Sequence, residues 1–234
     1  MSRPLYHIFT KIPDRYDLIN RVITLGMDAG WRKQAALVCL QDRPGRILDI
    51  CCGTGDLSVA IARLADYRPE ITGVDYSQPM LEIATAKAGA LNPGSNIRFI
   101  NADVGRLPFS DGYFDCIGIS FAFRNLTYRN PNTQNYLDEI LRVLRPGGRF
   151  VIVESSQPKS AVIRFFHHLY LRAWVFPSAY LLSGNKSAYC YLAQSALHYY
   201  SAEELQGFLI KSGFKQAAAK RLFFGAAAIH TGVK

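Results

Sequence analysis

Between Arg46 and Glu154 the chain alternates short apolar runs with stretches in which apolar residues recur every three to four positions. The first kind fits buried strands and the second fits one-sided helices, because side chains repeat every two residues on a strand and every ~3.6 on a helix. The pattern predicts strands over Arg46–Cys51, Ile71–Asp75, Ile97–Asn101, Phe114–Ser120 and Gly148–Glu154. It predicts helices over Asp56–Leu64, Pro79–Ala90 and Pro131–Leu144, with Gly, Pro or Asp/Ser at the joints. A mostly parallel, doubly wound α/β sheet satisfies this rhythm. After Glu154 the rhythm stops. Ser155 to Ser195 carries Phe165, Phe166, Tyr170, Trp174, Phe176, Tyr180, Tyr189 and Tyr191 and reads as a helical cover. Ser201–Lys211 predicts a helix opened by a capping box of Ser201 and Glu204 and stopped by Gly213. Strands over Gln216–Phe223 and Ala226–Gly232 follow. The expected organisation is one domain over 1–234: an N-terminal helical lid (1–45), a core (46–154), the aromatic cover (155–200), and a C-terminal helix with strands (201–234).

Composition narrows the class. An apolar fraction of 49% with 19% charged residues places the chain among folded globular proteins rather than disordered ones. The most apolar stretch, Leu169 to Leu182, is broken by Arg172 and Pro177 and falls short of the ~20 residues a membrane-spanning helix needs. The first residues hold no apolar region of secretory type, so a cytoplasmic location is expected. Five cysteines without a C-x-x-C pair, and five histidines scattered apart from His167–His168, give no ligand set for zinc, and no metal is expected. A net charge of +9 favours anionic partners, either nucleic acid or the inner face of a membrane. No basic stripe interleaved with stacking residues is evident, so nucleic acid is not expected as a partner.

The candidate chemistry begins at Asp49-Ile50-Cys51-Cys52-Gly53-Thr54-Gly55-Asp56. Gly53 and Gly55 stand where a buried strand turns into a helix, which lets a nucleotide-like ligand approach the backbone. Ser58 occupies the place of the third glycine of a dinucleotide fingerprint, so NAD fits poorly. Asp49 separates the alternatives. A carboxylate there can meet the ammonium of a methionine-like group and would repel a pyrophosphate, which favours S-adenosylmethionine; the other reading of Asp49 is a cap on its own loop. Asp75, ending the second strand, can bind both ribose hydroxyls. Asp103 can accept from the adenine amine and the Val104 N–H can donate to a ring nitrogen. These three acidic groups end successive strands on one edge, where ligands of such sheets bind.

The chain resembles the ubiquinone/menaquinone biosynthesis C-methyltransferase family over almost its whole length. The likeness lies in Phe9–Arg32, Leu48–Leu57, Phe121–Thr127 (FAFRNLT), Leu144–Gly148, Lys186–Ser195 and Ala228–Lys234. It implies a class I S-adenosylmethionine-dependent methyltransferase fold with an antiparallel last strand, acting on a demethylated quinol with an isoprenoid tail. It also implies cofactor contacts at Thr54, Asp75, Asp103–Val104 and Ser120. The sequence departs from the family after Ser195, at Tyr128, and in the glycine-rich C-terminal turn, kept only in part as Phe224-Gly225-Ala226-Ala227.

A quinol carbon becomes nucleophilic once a neighbouring hydroxyl loses its proton. Arg124 and Asn125 follow the fourth strand and are expected to act there, Arg124 by stabilising the phenolate and Asn125 by orienting a water. The alternative for Arg124 is a salt bridge to Asp111 or Asp115. Tyr16, in the lid, is expected to hold the relay water, and His230 is a candidate proton acceptor because it titrates near neutrality. The aromatic cover is expected to receive the prenyl tail and to support peripheral membrane association. Competing readings are an O- or N-methyltransferase of another small molecule, a nucleic-acid methyltransferase, and a non-catalytic cofactor-binding subunit. A homodimer is left open.

Overall fold

The computed structural model describes residues 13–91, 96–183 and 194–234. Tyr189 and Tyr191 of the expected cover, most of the Lys186–Ser195 segment and the first 12 residues of the expected lid lie outside the described residues.

Two helices, α1 (Pro13–Ile23) and α2 (Met27–Cys39), precede an alternation of β1 (Arg46–Ile50), α3 (Asp56–Leu64), β2 (Glu70–Asp75), α4 (Gln78–Gly89) and β3 (Ile97–Asn101). Then come β4 (Phe114–Ser120), α5 (Phe123–Thr127), α6 (Thr133–Val143) and β5 (Leu144–Ser155). The cover is α7 (Ala161–Tyr170), a π-helical turn (Leu171–Val175) and α8 (Phe176–Ser183). The chain closes with α9 (Ala202–Lys211), β6 (Gln216–Leu222) and β7 (Ala227–Val233). The seven strands form one sheet in the order β3-β2-β1-β4-β5-β7-β6. Strands β1 to β5 pair in parallel, and β7 runs antiparallel to both β5 and β6.

Helices on both faces explain why β1 and β2 are buried nearly throughout. One face packs Leu48, Ile117, Phe150 and Ile152 against Leu137 and Ile140 of α6 and Leu205 and Leu209 of α9. The other packs Ile47, Ile71 and Val151 against Ala35, Ala36, Leu57 and Ile61 of α2 and α3. Strand β6 forms an exposed edge and carries Lys220 and Arg221, charges that discourage edge-to-edge pairing with another sheet.

The structure departs from the sequence expectations at two places. Strand β5 starts at Leu144 rather than Gly148, because a register shift between Phe114 and Cys116 on β4 lets it run through Pro146-Gly147-Gly148. Helix α5 holds Arg124 and Asn125 and was not expected; five residues are too few to show a period. The cover does not pack as a core layer: no residue of α7 is buried, and Val162, Phe165, Phe166 and Leu169 are all more than half exposed. It is tied to the end of α1, with the Tyr170 hydroxyl donating to the Ile23 carbonyl (2.7 Å) and the Trp174 Nε1–H to that of Val22 (3.3 Å).

Candidate active site

The carboxyl ends of the parallel strands bring the predicted acidic groups to one edge. Between β1 and α3, Cys51, Gly53 and Gly55 take φ of 50°, 53° and 78°, and these left-handed turns swing the chain from strand to helix. At Gly55 a Cβ would stand 2.9 Å from the Ala84 Cβ of α4, so glycine is required there. The Gly53 N–H donates to Asp75 Oδ2 and the Ser77 N–H to Asp75 Oδ1, both at 2.9 Å. Asp75 therefore clasps the loops after β1 and β2 together, and burial raises its pKa. The Ala102 N–H donates to the Asp75 carbonyl (3.1 Å), which sets Asp103 and Val104 beside it. Asp103 is exposed and takes the Gly105 N–H on Oδ1 (2.7 Å), and Val104 is buried.

Asp49 is fully buried. Its Oδ2 accepts from the Ser58 N–H (3.0 Å) and hydroxyl (2.7 Å), so the serine at the third-glycine position holds the carboxylate in place. Its Oδ1 is buried and has no partner, and burial pushes its pKa up to about 7. An unpaired carboxyl oxygen buried under a glycine loop is left unsatisfied by the protein alone, and a donor or cationic group of a ligand would complete it. The capping reading of Asp49 is also half realised, through Ser58.

The N-terminal helices close over this loop through a charged network. The Thr54 hydroxyl donates to Asp17 Oδ1 (2.7 Å), and Lys87 Nζ reaches Asp17 (2.6 Å), Asp56 (2.5 Å) and Thr54 Oγ1 (3.0 Å). Arg32, buried, bonds Asp28 (2.5 Å), approaches Asp56 (3.3 Å), and donates from Nε to the Ser120 hydroxyl (3.2 Å). Ser120 is thereby linked to the lid.

Beside Ser120 lies a cavity of about 160 Å³ whose wall includes Tyr16, Trp31, Arg32, Phe121, Arg124, Asn125, Glu154, Tyr170 and Phe223. Arg124 is nearly buried. Its backbone N–H donates to Glu154 Oε2 (3.1 Å), its guanidinium donates to the Ser155 hydroxyl (2.6 Å), and the same nitrogen lies 3.7 Å from Glu154 Oε1. The alternative partners are otherwise engaged, Asp111 by Arg142 and Asp115 by Arg145, each at 2.8 Å. The Asn125 Oδ1 is buried without a partner. Burial raises the pKa of Tyr16, which keeps its phenol neutral and able to donate.

His230 stands apart. It lies in β7 three residues beyond Ala227, which lines the cavity, and strand alternation turns it to the other face. It is buried, neither ring nitrogen has a partner, and burial holds its pKa down at about 4. The structure thus joins Asp49, Gly53, Thr54, Gly55, Asp75, Asp103 and Val104 at one end and Ser120, Arg124, Asn125 and Tyr16 at the other, and leaves His230 out. Asp28, Arg32, Lys87 and Glu154 were not singled out from sequence. For Glu154 a signal existed: it ends an apolar run on a core strand, as Asp75 does.

This strand order, with an antiparallel β7 and acidic residues around a glycine loop at the carboxyl edge, is the fold of the class I S-adenosylmethionine-dependent methyltransferases. A solved methyltransferase of that kind from Thermotoga maritima shares the fold with a TM-score of 0.64 at 20% identity, over 98% of this chain and 99% of that one. Another from Aquifex aeolicus gives 0.63 at 16%, over 93% and 96%. Within that class the chain belongs to the ubiE/COQ5 methyltransferase family, whose profile matches residues 2–234. Its relatives include the demethylmenaquinone methyltransferase of Thermus thermophilus, 39% identical over 96% of this chain and 99% of that protein. They also include the ubiquinone/menaquinone biosynthesis C-methyltransferase UbiE of Geotalea daltonii, 35% identical over 98% and 96%.

Proposed function

We propose that the protein methylates a ring carbon of a demethylated, prenylated quinol, demethylmenaquinol being the first acceptor to test. The observation that carries this reading is the ring-sized cavity beside Ser120, with the Arg124–Glu154 pair and the unpartnered Asn125 Oδ1 in its wall.

S-adenosylmethionine supplies a sulfonium methyl open to attack by an electron-rich carbon. Asp49, Gly53, Thr54, Gly55, Asp75, Asp103, Val104 and Ser120 are the residues that would hold it. The acceptor carbon gains electron density when its neighbouring hydroxyl ionises, and the phenolate needs a fixed positive charge. Arg124 provides that charge, because a guanidinium keeps its proton. Glu154 and Ser155 hold the guanidinium in one orientation. The Asn125 Oδ1 accepts a hydrogen bond from the acceptor hydroxyl or from a water that carries the proton away. Tyr16, a neutral phenol on the opposite helix, completes that water's site. Alignment of two bound reactants contributes as much as roughly 7–11 kcal/mol in favourable cases. His230 takes no part in this scheme.

The exposed apolar face of α7 supports peripheral association with a membrane. The segment from Ser155 to Ser195 holds Lys159, Arg164, Arg172 and Lys186 and no acidic residue, which suits an anionic leaflet. Among the described residues no helix is long and apolar enough to cross a membrane. Sedimentation with anionic vesicles that weakens as salt rises supports this reading; no sedimentation at low salt removes it.

The function is tested by incubating the protein, anaerobically, with labelled S-adenosylmethionine and either reduced short-chain demethylmenaquinol or its demethylated benzoquinol counterpart, and locating the new methyl by NMR. Ring-carbon methylation is expected. Arg124→Lys, which keeps the charge but loses the fork, is expected to lower kcat about a hundredfold while cofactor affinity persists. A methyl found on oxygen, or on neither quinol, overturns the reading of the acceptor.

A further inference from the structure

The cavity opens at a turn with an unfavourable backbone. Phe223, Phe224 and Gly225 take φ of 42°, 55° and 92° in succession. Glycine enters this region freely, but a Cβ there crowds the following carbonyl, so two consecutive phenylalanines store strain. Burial does not offset the strain, since Phe223 is 53% and Phe224 75% exposed.

What the two rings do make is a continuous aromatic path. Phe121, at the end of β4, packs on Trp31 (centroids 6.1 Å apart), Trp31 on Phe223 (6.5 Å), and Phe223 meets Phe224 edge-on (5.6 Å). Among the described residues that line the cavity Phe223 is the most exposed, so it marks the mouth. The cavity's 160 Å³ is the space of one small ring system; an engineered apolar cavity of about 150 Å³ takes benzene. An isoprenoid tail has no room inside and must leave past the mouth. Ala226 and Ala227, small side chains on the inner side of the same turn, leave the passage open.

Resting on the reading of the acceptor as a prenylated quinol, we propose that Phe223 and Phe224 are specificity-determining residues that grip the first isoprene units of the tail where it leaves the cavity. The strained turn holds both rings in the path of an apolar chain, where contact with the tail supplies the burial that the protein alone withholds.

The test compares kcat/KM for 1,4-naphthohydroquinone bearing a geranyl side chain with that for the bare ring, in the wild type, Phe223→Ala and Phe224→Gly, alongside thermal unfolding. The preference of the wild type for the tailed acceptor is expected to fall about tenfold in Phe223→Ala. In Phe224→Gly the preference also falls, while Tm rises because the strain is relieved. A preference unchanged in both variants overturns the proposal and leaves the acceptor reading standing. Wild-type protein that methylates neither acceptor overturns the acceptor reading and the proposal with it. A lower Tm for Phe224→Gly refutes the strain on which the choice of Phe224 rests.

Discussion

Asp49 illustrates how one atom links stability to ligand binding. Its Oδ1 lies buried with no partner, and its pKa stands at about 7 against an ordinary value near 3.8. Below about pH 4 both folded and unfolded chains hold the proton, and the contribution of this group is fully present. Between about 4 and 7 only the folded chain binds it, so stability falls as pH rises and levels off above 7. Asp49→Asn keeps an acceptor for Ser58 and removes the charge. It is expected to raise Tm at pH 8 in the absence of cofactor, to flatten the decline of Tm between pH 4 and 7, and to weaken cofactor binding by calorimetry. A variant less stable at pH 8 would contradict this account. Asp49 was legible in the sequence as a lone charge inside an apolar run just before a glycine turn, Asp75 because it ends such a run and Asp103 because it follows one closely. Arg32 and Lys87 were not: Arg32 has one local partner, Asp28, but it meets Ser120 88 residues along the chain, and Lys87 meets Asp56, Thr54 and Asp17 at separations of 31, 33 and 70, pairings that no local pattern reports.

At the scale of elements, the sequence pattern located every strand, and α3, β3 and β4 to the residue, since these segments are long enough to show a period and are bounded by turn residues. It missed α5 and the early start of β5, where the chain is too short or too rich in Pro and Gly to show one. The capping box at α9 was legible and is formed: Ser201 Oγ accepts the Glu204 N–H and Glu204 accepts the Ser201 N–H. Ser201→Ala is expected to cost about 1 kcal/mol in denaturant unfolding, with no change in cofactor affinity. The orientation of α7 was not legible, because an apolar stripe fits a core and a membrane surface equally well. Replacing Phe165 and Phe166 with glutamate is expected to leave Tm within a few degrees and to abolish sedimentation with anionic vesicles. A large fall in Tm would show that α7 packs on protein.

For the whole molecule, acid brings a second pH dependence of opposite sign. His167 and His230 are each held at about 4, below the ordinary 6.5, by burial. Between those values the unfolded chain binds protons that the folded chain refuses, so their contribution to stability is present above about pH 6.5 and lost as pH falls toward 4. His230→Leu is expected to move acid unfolding to lower pH while turnover at pH 7 persists; loss of turnover by a folded variant would return His230 to the chemistry. The cavity wall carries one further consequence. Trp31 is one of only two tryptophans in the chain, and the other, Trp174, is 45% exposed on the cover. Exchanging Trp174 for phenylalanine would leave a single indole emitter, set between the tilted rings of Phe121 and Phe223. Because the acceptor ring would enter the cavity whose wall this indole forms, its arrival and departure would change the surroundings of the emitter and register as a change in light without any label.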